Sequence, residues 1–187
     1  MEDGNDSEEF AIEIYPLRPL LKGFDEADRG LKTYRVAKYD PRYRDAKGFY
    51  TRDEWTSVSD VGKVYDGVEF TWDAYLQTED RYVNVAQYVI GALNLSQVFL
   101  KEFELVADNY EPISQLECDP STALCVLRNV LRENCWCKFD LDGQGYIHVG
   151  YEYYMYVGCV SRVELCAEFV KSHGLFLEEM RSPMGDD

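Results

Sequence analysis

The stretch CWCKFDLDGQGYIHVGYEYYMYVG, residues 135–158, decides how this chain folds. Two runs rich in aromatic and β-branched residues flank Asp142-Gly143-Gln144-Gly145, and Asp-Gly between such runs is a hairpin signal. Two strands are expected, over about 135–141 and 146–158. On the second, Ile147, Val149, Tyr151, Tyr153, Met155 and Val157 recur at period two and form a face for the core. The opposite face carries Tyr146, His148, Gly150, Glu152, Tyr154 and Tyr156. Tyrosines beside a histidine and a carboxylate suit a recognition surface or a shallow pocket, so Tyr146, His148, Glu152, Tyr154 and Tyr156 are the expected partner-binding residues. Ordinary sheet surface beneath a helix or loop is the competing reading. His148 and Glu152, with only Gly150 between them on that face, make an acid–base pair geometrically possible.

The same stretch fits part of a calcium-loop pattern, with Asp140, Asp142, Gly145 and Ile147 at matching positions. That loop needs a closing glutamate that supplies two oxygens. Tyr151 stands there, Glu152 comes one residue late, and the segment that follows is β-prone where an exit helix is required. A tight turn uses the same Asp and Gly residues, so a turn is expected and no metal. Cys135 and Cys137 share a strand face but lack the second ligand pair of a zinc site. Neither a phosphate-binding glycine loop, nor GxSxG, nor HExxH occurs. No catalytic residue and no cofactor are assigned.

Outward from the hairpin, apolar residues from Trp72 to Leu93 (Tyr75, Leu76, Val83, Ala86, Val89, Ile90) repeat at helical spacing behind Thr71, a natural N-cap. A second helix opens at Asp119-Pro120 with Leu124, Leu127, Val130 and Leu131 on its core face. A third starts at Ser161, where Ser161 and Glu164 form a capping box, and stops at Gly174. Strands are expected at 31–40, at 98–106 with Phe99, Phe103 and Leu105 on one side, and at 175–180. Phe10, Ile12 and Ile14 give a weaker strand signal. Strands and helices mix without βαβ periodicity, so the expected class is α+β, a largely antiparallel sheet packed with about three helices. Residues 1–9 read as a disordered acidic tail and 10–187 as one domain.

Charge narrows the partner. The 187 residues carry a formal net charge of −16. Residues 1–30 hold 9 acids and 3 bases, 31–63 hold 5 acids and 8 bases, and 64–187 hold 21 acids and 8 bases. Nucleic-acid phosphates and anionic membrane surfaces are therefore unfavourable direct ligands, and a basic protein is the electrostatic match. The basic loop 39–63, with Arg42, Arg44, Lys47, Arg52 and Trp55, either binds an anion or is simply solvated or paired with the chain's own acidic surface; the latter is expected. The N-terminus MEDGNDSEEF lacks an apolar stretch and no run reaches the length of a membrane helix. The expected location is cytoplasmic, with the six cysteines reduced; Cys125 and Cys166 are placed on apolar helix faces.

Residues 50–62 (YTRDEWTSVSDVG) and 148–158 (HVGYEYYMYVG) resemble an uncharacterised family of small cytosolic bacterial proteins, a likeness spanning about 31–182 that implies no activity and no site. In size, acidity and lack of a catalytic motif the chain also resembles immunity proteins, which neutralise toxins. The resulting expectation is an acidic protein-binding module, an immunity protein that occludes a basic toxin's active site. A small enzyme or ligand-binding domain using Tyr146, His148 and Glu152 is the alternative.

Overall fold

A computed structural model describes residues 31–106, 111–160, 165 and 167–180. The Asp142-Gly143 turn forms as its residues dictate: both adopt positive φ (52° and 69°), and the Asp140 carboxylate accepts from the Gly143 amide at 2.8 Å. It joins β6 (Cys135–Asp140) to β7 (Gly145–Val149). These pair within a seven-stranded sheet that also contains β1 (Leu31–Ala37), β4 (Val98–Leu105), β5 (Ile113–Cys118), β8 (Met155–Val160) and β9 (Phe176–Glu179). The order is β5-β4-β6-β7-β8-β1-β9, and every pairing is antiparallel. A separate two-stranded hairpin, β2 (Val64–Tyr65) with β3 (Val68–Glu69), leads into the first helix. The class is α+β, as the sequence predicts.

Helix α1 (Trp72–Ala92) begins where the Thr71 hydroxyl accepts from the Ala74 amide. Helix α2 (Pro120–Leu131) is capped by the Asp119 carboxylate, which accepts from the Ser121 and Thr122 amides. The Ser121 hydroxyl, with the Thr122 amide and hydroxyl beside it, holds the Asp119 carboxyl below the usual carboxylate range. The short α3 (Ala167–Ser172) lies against α1 through stacked Tyr88 and Phe169, with centroids 4.3 Å apart. Tyr75, Tyr82, Val89, Leu127 and Val170 of the helices share one core with Val36, Leu100, Phe139, Ile147 and Val157 of the strands. The helices therefore cover a single face of the sheet. Within the α1–α2 contact Glu79 is 0% exposed and is paired with Arg128 (2.7 Å) and Arg132 (2.6 Å). A carboxylate this deep keeps its charge at tolerable cost only because two guanidinium groups satisfy both oxygens.

Several expectations need correction. The strand predicted over 146–158 is two strands. Gly150 leaves β7, a single 3-10 turn spans Tyr151–Tyr153, and the Gly150 amide donates to the Tyr154 carbonyl at 2.8 Å. Both limbs keep their parity across the turn, with Ile147 opposite Val157 and His148 opposite Tyr156, so the two faces read from the sequence survive. In β4 the pattern fails. A bulge between Lys101 and Glu104, with Glu102 at φ 53°, moves the core positions to Val98, Leu100 and Phe103 and leaves Leu105 exposed. Strand β5 and the β2–β3 hairpin are additional to the reading. Trp72, Cys125 and Tyr151, placed on core faces, are exposed. The tail 1–9, the signal at 10–14, the Ser161/Glu164 box and Cys166 lie outside the described residues. No described helix is long and apolar enough to cross a membrane.

Candidate functional site

The five residues expected at the partner surface separate into three environments. Tyr146, His148 and Tyr156 do share the sheet face opposite the helices, and all three are buried. His148 stacks on Tyr156 at 5.0 Å between centroids, and the Tyr146 ring occupies the space a side chain at position 158 would need. Burial, with the Lys138 ammonium adding to it, lowers the His148 imidazole to about 4. Tyr154 is half-buried in a cluster with the basic loop. The Arg35 guanidinium lies 4.7 Å from its ring centroid, and Arg44 donates to its hydroxyl at 3.2 Å. Glu152 is exposed at the hairpin tip, and no hydrogen bond or ion pair joins it to His148.

Several cations in and beside the basic loop pair with acids of the same chain. Arg35 and Arg44 both pair with Glu178 of β9, at 2.9 and 3.1 Å. Lys38, 4.0 and 4.3 Å from the Tyr39 and Trp55 ring centroids, pairs with Glu54 at 3.2 Å. Burial lowers its ammonium to about 8, opposed by the charges of Glu54 and Asp60. Arg42 is taken by Asp40. The Ser57-Val-Ser59-Asp60 segment is a capped turn in which Asp60 accepts from the Thr56 amide at 2.7 Å and Lys63 at 2.6 Å. Against the burial that opposes them, these bonds hold the Asp60 carboxyl down at about 2. Arg42 and Arg44 thus pair with the protein's own acids, while Lys47 and Arg52 make no ion pair among the described residues and Arg52 lies over the Tyr43 ring. Cys135 and Cys137 point into the core, where burial raises their thiols, Cys135 to about 11. Among the described residues no group of three or more His, Cys, Asp or Glu is placed to hold a metal ion.

Three of the carboxylates without an ion pair lie together at one end of the sheet. There β4 finishes, β6 begins and β7 turns into β8, enclosing a cleft of about 850 Å³. Its wall combines apolar side chains (Val106, Val130, Leu131 and Val149) with Trp136, Tyr151 and three glutamates, Glu104, Glu133 and Glu152. Among the described residues no lysine, arginine or histidine lines it. The three carboxylates make no ion pair and no side-chain hydrogen bond among the described residues, in contrast to Glu54, Glu79 and Glu178. Lys138, whose ammonium lies 5.6 Å from the Trp136 ring, is taken by Glu102 at 3.2 Å. Two apolar side chains on the rim stand open to solvent, Val106 at 66% and Tyr151 at 85% exposure.

The backbone at the cleft is also unusual. Glu133, Glu152 and Tyr153 have φ of 60°, 56° and 62°, and Glu102 beside it has 53°. Left-handed backbone costs a residue with a β-carbon roughly 1–2 kcal/mol, and Asn, Asp or Gly normally fill such places. At the other positive-φ turns the chain follows that habit, using Asp66, Asn94 and Asp142. Around the cleft it uses Glu and Tyr instead. Tyr153 is 4% exposed, lines the cleft and packs edge-on to Trp55 and Tyr82. Its hydroxyl is buried without a hydrogen-bond partner. The Tyr75 hydroxyl near it donates elsewhere, to the Leu131 carbonyl, and completes no bond of good geometry with it.

Only Glu152 of the five predicted site residues reaches this cleft. Glu104, Glu133, Trp136 and Tyr151 were not singled out by pattern. One signal was readable: Leu131-Arg132-Glu133-Asn134 ends a helix with Glu where Gly or Asn is the usual residue. Comparison with protein-family models, with curated proteins and with solved structures found no match.

Proposed function

We propose that this chain is an acidic protein-binding module that captures a basic protein through the cleft at the end of its sheet. The observation that carries this reading is the division of its carboxylates. Asp40, Glu54, Asp60, Glu79 and Glu178 are paired with internal cations, whereas Glu104, Glu133 and Glu152 surround an apolar recess with no counter-charge among the described residues. An apolar centre with aromatic side chains and a charged rim has the composition of a protein-binding surface. The net charge of −16 would speed the approach of a basic partner. The most concrete form of the reading is an immunity protein that occludes the active site of a basic toxin. Of the sequence-level site the proposal keeps Glu152. Its test is co-purification of the tagged chain from its native host, identification of the bound protein, and measurement of affinity against salt. A basic partner whose affinity falls steeply with salt, and whose activity is lost in the complex, is the expected result. An acidic partner, or binding indifferent to salt, contradicts it.

A further inference from the structure

We infer that the cleft takes the guanidinium of an arginine presented by the partner, with the segment around it; this rests on the protein-binding reading above. The argument begins with the donors the site needs. Glu104 comes from the end of β4, Glu133 from the turn after α2, and Glu152 from the β7–β8 tip, so the acceptors are contributed by three separate elements. A guanidinium offers five N–H donors in a rigid plane, while an ammonium offers three about a single strongly hydrated point.

The aromatic side chains favour the same occupant. Trp136 and Tyr151 line the cleft beside the carboxylates, and a guanidinium stacks on such rings while it donates at its edges. Val106 and Leu131 provide apolar surface for the three-carbon stem. Tyr153 adds aromatic surface to the lining, with its hydroxyl turned to Tyr75 in the core. At about 850 Å³ the cleft is near the upper end of ligand-sized recesses, and neighbouring residues of the partner enter with the arginine.

The experiment titrates the purified full chain with acetyl-Gly-Gly-Arg-Gly-Gly-amide at low salt. Its lysine and citrulline analogues are run in parallel, and the readout is the Trp136 indole N–H resonance, assigned by its loss in Trp136→Phe. The expected result is a saturable shift, with the arginine peptide bound about threefold tighter than lysine and about tenfold tighter than neutral citrulline. Glu133→Gln with Glu152→Gln weakens binding by about tenfold while the melting temperature stays put. Absence of a shift, equal affinity for citrulline, or indifference to the two substitutions overturns the inference. A captured basic partner that still binds the doubly substituted chain at full strength removes the arginine site and leaves the protein-binding reading standing. Arginine binding at the cleft without any basic partner does the reverse.

Discussion

At the scale of single residues, two positions show how the sheet face opposite the helices is built. Gly158 sits beneath Tyr146, and a β-carbon there would lie 2.1 Å from the ring. Because that ring is itself buried it has little room to yield, and Gly158→Ala is expected to cost about 1–3 kcal/mol. Urea denaturation measures this, and combining it with Tyr146→Leu should recover much of the loss, since the two positions are coupled. His148 gives a pH signature. Its folded value near 4 lies below the ordinary 6.5, so between those values the unfolded chain binds a proton that the folded chain refuses. Stability therefore falls on acidification from pH 6.5 to 4, by about 3 kcal/mol from this group. His148→Phe should flatten melting temperature against pH in that window; an unchanged profile would mean the imidazole is not what titrates.

Among the elements, the coupling of α1 to α2 rests on a buried charge. Glu79→Ala strips both Arg128 and Arg132 of their shared partner and is expected to destabilise by about 3 kcal/mol in urea. Glu79→Gln should cost less, because an amide still accepts a hydrogen bond. Sequence showed the elements best where one signal acted alone. Thr71 and Asp119 cap helices as read, since the side-chain oxygen and the helix register are local facts. The Asp142-Gly143 hairpin is equally local. Where the reading failed, something non-local or cryptic decided: the bulge at Glu102 reverses the alternation of β4, and the turn at Tyr151–Tyr153 sits inside an uninterrupted aromatic run. The alternation still sorted core from opposite face within β7 and β8, because the turn preserves parity between them, but it misplaced Tyr151, which the turn directs out to solvent. Glu79 was invisible as a core residue; only its position opposite two arginines of another helix explains its burial.

The whole molecule turns on where its charge is spent. A count of −16 says that acids are in excess but not which of them lack partners. The fold joins Lys38 to Glu54, Arg44 to Glu178 and the helices through Glu79, and the three cleft glutamates are among the acids left without an ion pair. Those three are 29 and 19 residues apart in the chain, so no local motif could have grouped them. The most direct test of this account is the affinity of the co-purified partner for the triple variant Glu104→Gln, Glu133→Gln, Glu152→Gln, measured beside the unaltered chain at low and high salt. The account predicts a loss of at least about tenfold at low salt that shrinks as salt rises, with folding stability unchanged. Equal affinity of the two chains at low salt would contradict it.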